Sequence, residues 1–186
     1  HETQGKTPAE VMAKLGQPNL HPEGRFFPDT YRYAKNSSDT SVLQTAMNAM
    51  NKQLEEAWKN RMEPNPLRSP DELLILASIV EKETGRESDR TMVASVFHNR
   101  LRVGMRLQTD PTVIYGLGSA FNGNLRKVDL LTDTPYNTYT RAGLPPSPIA
   151  MPSKAALWAA ARPASSPALY FVAKGDGTGS SYFSQT

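Results

Sequence analysis

Apolar residues recur along this chain at helical spacing, broken by turn-rich stretches, and the densest apolar run lies near the middle. Eight uncharged residues extend from Leu73 to Val80, seven of them apolar counting Ala77. A helix start signal precedes them. Ser69 is placed to cap, Pro70 fits the first helical position, and Glu72 stands three residues after the cap, where it can reach back. The pattern predicts a helix over 69–84 that is buried on most sides. A longer, amphipathic helix is expected over 39–62, where Val42, Leu43, Ala46, Met47, Met50, Leu54, Ala57 and Trp58 form one stripe. Its methionines read as packing, and Glu63-Pro64-Asn65-Pro66 ends it.

Shorter elements follow from local signals. Thr7-Pro8-Ala9-Glu10 is a capping-box pattern that starts a helix through Val11, Met12 and Leu15, stopped by Gly16. The aromatic, proline-interrupted stretch 23–33 reads as an edge strand or extended loop whose rings either join the core or stack on sugar faces. Ser88 is expected to cap a helix that buries Val93, Val96, Phe97 and Leu101. Arg100 and Arg102 suit its C-terminal end, and Gly104 stops it. Met105 to Thr109 alternates like a short strand, and Asp110-Pro111 reads as cap and first turn of a helix through Val113, Ile114 and Tyr115. Asn122-Gly123 marks a turn.

Residues 132–152 hold five prolines, and a loop of that length inside a domain is either functional or disordered. The polar-aromatic run Tyr136-Asn137-Thr138-Tyr139-Thr140 argues for order. Ser153 caps a helix over Ala155 to Ala161, closed by Pro163. Leu169-Tyr170-Phe171-Val172 and Ser181-Tyr182-Phe183-Ser184 flank a Gly/Asp-rich turn as a β-hairpin. No repeat or low-complexity tract is present.

Two carboxylates end the oily helix and need a reason. Glu83 follows Ile79 and Val80 by four and three residues, so it extends the apolar stripe. Glu81 falls below Ala77 and Ser78, on a smaller and more polar face. Arg86 and Glu87 are both within helical reach of Glu83. A carboxyl held against apolar neighbours keeps its proton nearer neutrality and can serve as a general acid. The plain alternative is two solvated acids at a fraying helix end, paired with Lys82 and Arg86.

Composition narrows the chemistry. The 186 residues suffice for one domain with a substantial core, and Lys plus Arg exceed Asp plus Glu by only 21 to 18. The basic residues are scattered, without a run that would read as a nucleic-acid patch. Zero cysteines excludes a disulfide scaffold and cysteine-bound zinc. The three histidines, His1, His21 and His98, have no ligand spacing, so none reads as a metal ligand. No stretch approaches the roughly 20 apolar residues of a membrane span, and no signal-peptide pattern opens the chain. Beginning at His1, the chain reads as an excised fragment. There is no phosphate loop and no nucleophile elbow. What remains is one acid in an oily helix, loops rich in Asn, Gln and Tyr, and aromatic rings. That inventory suits carbohydrate, with amides and phenols for hydroxyls, rings for sugar faces and one proton donor for a glycosidic oxygen.

The runs Ala77-Ser78-Ile79-Val80-Glu81-Lys82-Glu83-Thr84, then 93–101 (VASVFHNRL) and 104–116 (GMRLQTDPTVIYG), resemble the MltG (YceG-like) family of endolytic murein transglycosylases. Glu23-Gly24, Phe27-Pro28-Asp29-Thr30, Tyr136-Asn137-Thr138-Tyr139, Gly143-Leu144-Pro145-Pro146 and Leu169-Tyr170-Phe171-Val172 match as well, so the resemblance covers 22–184. It implies an α+β fold, with a mainly helical lysozyme-like catalytic core, short strands and a C-terminal β-hairpin, in one catalytic domain over 1–186. It also implies a bacterial cell-wall lyase that cuts the MurNAc–GlcNAc bond of nascent peptidoglycan, leaves 1,6-anhydro-MurNAc ends and terminates elongation. The implied partners are peptidoglycan glycan strands and cell-wall synthases (penicillin-binding proteins), with no nucleic acid and no cofactor. The implied location is the periplasmic face of the inner membrane. A membrane helix and a LysM-like module are expected upstream, and relatives continue past Thr186 into a terminal helix. Ser147 and Ser153 stand where the family commonly has glycine.

The resemblance also separates the two acids, because the family's catalytic glutamate precedes Ser or Thr, as Glu83 precedes Thr84. Gln108, Asn137 and Tyr139 are then expected to hold the sugar, with loop-stapling hydrogen bonds as their alternative role. Asp110 and Tyr115 are further candidate contacts, and helix capping competes for Asp110. Two other functions stay open at this point. One is a lysozyme-like hydrolase with Asp110 or Asp29 as second carboxylate. The other is a non-catalytic glycan-binding or scaffold domain.

Overall fold

The helix predicted from the central apolar run is the axis on which the rest packs. In the computed structural model, which describes residues 2–186, it is α3, Pro70–Glu83, lying among α1 (Pro8–Lys14), α2 (Asp39–Lys59), α4 (Glu87–Arg102), α5 (Asp110–Leu117), α6 (Lys127–Leu131) and α7 (Lys154–Ala161). Strands β1 (Tyr170–Ala173) and β2 (Ser181–Ser184) close the chain as an antiparallel hairpin, which completes the expected α+β class. Leu73, Leu74, Leu76, Ile79 and Val80 are fully buried, each contributing roughly 1.5–3 kcal/mol through removal from water. The Ser69 hydroxyl caps α3 by accepting from the Glu72 amide at 3.2 Å. The Glu72 carboxylate reaches one residue past the cap, to the Arg68 amide at 2.7 Å.

The alanine-rich helix α7 lies against α2, α3 and α4, and its small side chains let those backbones approach. A polar pair on α3 fixes this arrangement. Ser78 accepts from the Ile149 amide at 3.0 Å, and one turn on, Glu81 accepts from the amide and hydroxyl of Ser153 at 2.9 and 2.6 Å. Ser153 in turn caps α7. The small polar face of α3 therefore docks the end of the proline-rich loop and the start of the last helix. A smaller cluster of Met12, Leu15 and Met47 joins α1 to α2.

The 23–33 stretch is an extended loop, tied to α2 by the Phe27 amide on the Ala46 carbonyl at 3.0 Å. Gly24 is required there. Its φ of +80° suits glycine, and a Cβ would sit 2.5 Å from Cβ of Pro148. Three local expectations are corrected. Ser88 does not cap α4: Arg86 holds the cap position, because the Thr84 hydroxyl accepts from the Arg86 amide and turns the chain two residues earlier. Met105–Thr109 pairs with no strand. Its alternating burial is kept, but it is held at its ends, by the Met105 amide on the Arg100 carbonyl and the Gln108 amide on the Thr138 carbonyl, with Gln108 at a φ of 50°. Asp110 is the first residue of α5, not its cap, which is Thr109. Helix α6, unanticipated, is held by Arg126 and Asp129 side chains.

Candidate active site

Glu83 is the last residue of α3, and burial sets its chemistry. Removal from water pushes its carboxyl above the ordinary carboxylate range, the Thr109 hydroxyl that donates to Oε1 pulls it down, the Asp110 charge raises it and the Arg100 charge lowers it. The net direction is up, so Glu83 holds its proton to higher pH than a solvated glutamate. The side chain is only half-buried, which leaves it a path to solvent. Neither expected neighbour takes part: Arg86 donates to the Thr178 carbonyl, and Glu87 is exposed. Glu81 is committed to Ser153. Of the two acids, Glu83 alone is available for chemistry.

Thr109 is held by its neighbours and is almost fully buried. Its amide donates to the Thr138 hydroxyl at 3.1 Å, its carbonyl accepts from the Thr112 hydroxyl at 2.8 Å, and the Thr112 and Thr138 hydroxyls are 2.8 Å apart. Three threonines thus fix the start of α5 to the 132–152 loop and aim one hydroxyl at Glu83. Sequence reasoning missed Thr109, whose only local signal is its place before Asp-Pro.

Arg100 was also missed as a site residue. It is 7% exposed on α4; its Nε donates to the Leu169 carbonyl at 2.7 Å, and Nη1 to the Leu107 carbonyl. Those bonds hold a fixed positive charge beside the site, in a position only a planar, multi-donor cation fills this way.

The candidate sugar contacts divide. Gln108 precedes Thr109, is exposed, and adopts a left-handed backbone that costs a non-glycine residue free energy and occurs often at functional sites. Tyr139 donates its hydroxyl to Asp110, and burial together with the Asp110 and Glu83 charges pushes its phenol well up, so it stays neutral and a donor. Asp110 and Tyr139 therefore gather beside Glu83 and Thr109, and Gln108 is the exposed chain neighbour of Thr109. Asn137 does not. It is fully buried, its amide nitrogen on the carbonyls of Leu130 and Thr132 at 3.0 and 2.7 Å and its oxygen accepting from the Tyr139 amide at 2.8 Å. It staples the loop that carries Tyr139 and leaves nothing for a ligand. Tyr115 is occupied elsewhere: its ring leans on Tyr136 at 4.9 Å, and burial with the Glu23 charge pushes its phenol up to about 12. Asp29 is exposed and accepts from the Thr30 amide, outside the groups that act on Glu83.

Of the histidines, His1 lies outside the described residues, and His98 is buried with Nε2 on the Ala160 carbonyl at 2.7 Å. A concavity of about 410 Å³ bounded by Arg68, Glu72, Ile75, Met105 and Leu144 lies toward the opposite end of α3, and Glu83 is not among its walls.

The chain is 45% identical over 161 residues to the endolytic murein transglycosylase of Bacillus subtilis (strain 168), a match covering 84% of this chain and 43% of the relative. It is 36% identical over 155 residues to the endolytic murein transglycosylase of Streptococcus pneumoniae (strain D39), covering 81% of this chain and 28% of that one. It spans less than half the length of either relative. The 2.6 Å crystal structure of a protein described as YceG-like, from Listeria monocytogenes, superposes with a TM-score of 0.77 at 34% identity, over 96% of this chain and 60% of that one. The model of the YceG-like family matches residues 2–186, and the chain belongs to that family.

Proposed function

We propose that this domain is the catalytic part of an endolytic murein transglycosylase, cutting the MurNAc–GlcNAc bond within peptidoglycan strands and leaving 1,6-anhydro-MurNAc ends. The observation that carries the reading is the half-buried Glu83, whose carboxyl is held above the ordinary carboxylate range by burial and receives one aimed hydroxyl. Two relatives named for this activity support it.

The chemistry needs one carboxyl acting twice. Protonated Glu83 gives its proton to the oxygen that links C1 of MurNAc to GlcNAc, and that C–O bond breaks as positive charge develops on the sugar. The carboxylate so formed is stabilised by the Thr109 hydroxyl and the Arg100 charge. It then takes the proton from the C6 hydroxyl of the same MurNAc, whose oxygen bonds to C1 and closes the anhydro ring. One C–O bond is lost, one is made, no water is consumed, and Glu83 regains its proton. No second carboxylate is required as base or nucleophile, unlike two-carboxylate hydrolysis. Gln108, Asp110 and Tyr139 hold the sugar, and Asn137 acts by holding the Tyr139 loop.

The reaction ends strand elongation, and it belongs at the periplasmic face of the inner membrane, beside the cell-wall synthases that make the strands. Among the described residues no helix is long and apolar enough to cross a membrane.

One observation favours a second reading. Asp110 is close enough to Glu83 to raise its pKa, and a hydrolase would use such a carboxylate. Mass spectrometry of glycan strands digested by the native domain and by Glu83→Gln separates the two. Anhydro ends from the native domain and none from Glu83→Gln are expected. Reducing ends carrying an added water would move the assignment to hydrolysis. Undiminished cleavage by Glu83→Gln would remove Glu83 as proton donor, and strand binding without cleavage by the native domain would favour a scaffold.

A further inference from the structure

The hairpin has two faces of different chemistry. Strand alternation turns Phe171 and Phe183 inward, paired across the ladder, with Phe171 edge-on to Phe97 at 5.9 Å. The other face carries Tyr170, Val172 and Tyr182, which are 44%, 64% and 62% exposed, with Val172 and Tyr182 directly paired. An exposed aromatic face of this kind marks a contact surface, and a phenol combines an apolar ring with a polar tip.

That face is continuous with the catalytic site. The Arg100 guanidinium lies 5.5 Å from the Tyr170 ring while donating to the carbonyls of Leu169 and Leu107, the residue before Gln108. The same cation acts on Glu83 and Tyr139. Tyr170 therefore shares the Arg100 cation with the Glu83 site, and Val172 and Tyr182 carry the surface onward by about 7 Å of strand.

The face is also rigid. Arg86 donates to the Thr178 carbonyl in the turn, the Ser181 amide donates to the buried Asp89 carboxylate at 2.8 Å, and the Lys174 amide donates to the Ser180 carbonyl at 2.8 Å. The first two bonds tie the hairpin to the start of α4, just past Glu83, and the third braces it from within. A pre-ordered ring surface binds without losing side-chain entropy at the moment of contact.

We propose that Tyr170, Val172 and Tyr182 form a stacking platform for sugars of the glycan strand several residues from the bond that is cut, so that the hairpin selects long strands over short ones. The proposal rests on the glycan-cleaving reading above and goes beyond it in assigning the hairpin a share of substrate recognition. Sugars present apolar C–H faces to tyrosine rings and hydroxyls to their tips, which matches both halves of this surface.

The test measures binding rather than turnover. In a Glu83→Gln background, the dissociation constant is measured for an uncrosslinked strand of several disaccharides and for a single disaccharide, with and without Tyr170→Ala and Tyr182→Ala together. The double change is expected to weaken the long strand roughly ten-fold and leave the disaccharide unaltered. Tyr170→Phe with Tyr182→Phe should restore most of the loss. Leu131→Ala, at an equally exposed apolar residue on α6, should change neither value. Equal long-strand affinity in the Ala pair, with unchanged melting temperature, would overturn the platform. So would an equal loss for the disaccharide. Failure of the transglycosylase reading itself appears separately, as cleavage that survives Glu83→Gln.

Discussion

The Thr109 hydroxyl donates to Oε1 of Glu83, joining the last residue of α3 to the residue that caps α5. This bond opposes burial. Burial favours the protonated form of Glu83, and the hydroxyl favours the carboxylate. A group that must act first as acid and then as base needs both influences.

Removing the hydroxyl tips that balance. Thr109→Val should raise the Glu83 pKa further, because the lost bond favoured the charged form. The alkaline limb of the pH–rate profile for strand cleavage should move to higher pH, and the maximal rate should fall roughly ten-fold, the scale of one lost charge-assisted bond. Thr109→Ser should behave as the native domain. A profile unmoved by Thr109→Val would show that the bond carries no weight in the reaction.

Stability should record the same burial. Glu83 has its folded-state pKa raised above the unfolded value, so its contribution is fully present below the unfolded pKa and is lost as pH rises through the folded pKa. A neutral isostere escapes that loss. Glu83→Gln should melt a few degrees above the native domain at pH 7 and level with it at pH 4. Thermal unfolding at both pH values checks the sign.

Asn137 supports structure rather than substrate. Asn137→Ala strands the carbonyls of Leu130 and Thr132 and the Tyr139 amide in a buried site, at a cost of about 2–4 kcal/mol. Urea unfolding should show that loss, and hydrogen exchange should rise first across 129–140. An Asn137→Ala domain of native stability would mean the loop is held by other bonds.

Gln108 should show the opposite behaviour. Its left-handed backbone is costly and its side chain is exposed without a hydrogen-bond partner among the described residues. Gln108→Gly should leave stability equal or better by up to about 1 kcal/mol while raising KM for strands several-fold. Loss of stability without a KM change would place the residue in the scaffold.

Glu81, two residues before the proposed acid, should separate the two roles cleanly. Glu81→Ala removes the acceptor for the Ser153 amide and hydroxyl and should cost about 1–2 kcal/mol of stability. The pH dependence of strand cleavage by the folded fraction should keep its shape. A shifted profile would bring Glu81 into the chemistry.

Much of the fold follows from short-range signals. The stripe expected over 39–62, the capped apolar run expected over 69–84, the Ser153 cap and the C-terminal hairpin each depend on neighbours a few residues away, and each forms, the first two as helices over 39–59 and 70–83. The Ser88 cap failed for a near reason, the Thr84 hydroxyl on the Arg86 amide, and two other expectations were decided by distant partners. Met105–Thr109 alternates like a strand, but Thr138 meets it at one point, through its carbonyl and hydroxyl, rather than along a ladder. The side chain of Asp110 goes to Tyr139, 29 residues on, instead of capping its own helix.

The sequence by itself determined that an acid continues the apolar stripe of a buried helix, since spacing along a helix fixes direction. It also determined the family, through runs that span nearly the whole chain. Which acid was free, which amide was spent on the loop, and which arginine lay beside the site were decided only by tertiary structure. Glu81 meets Ser153 from 72 residues away, and Thr109 meets Glu83 from 26. Such bonds depend on how helices pack against one another, and no pattern within a window of sequence records which distant group will satisfy a given polar atom.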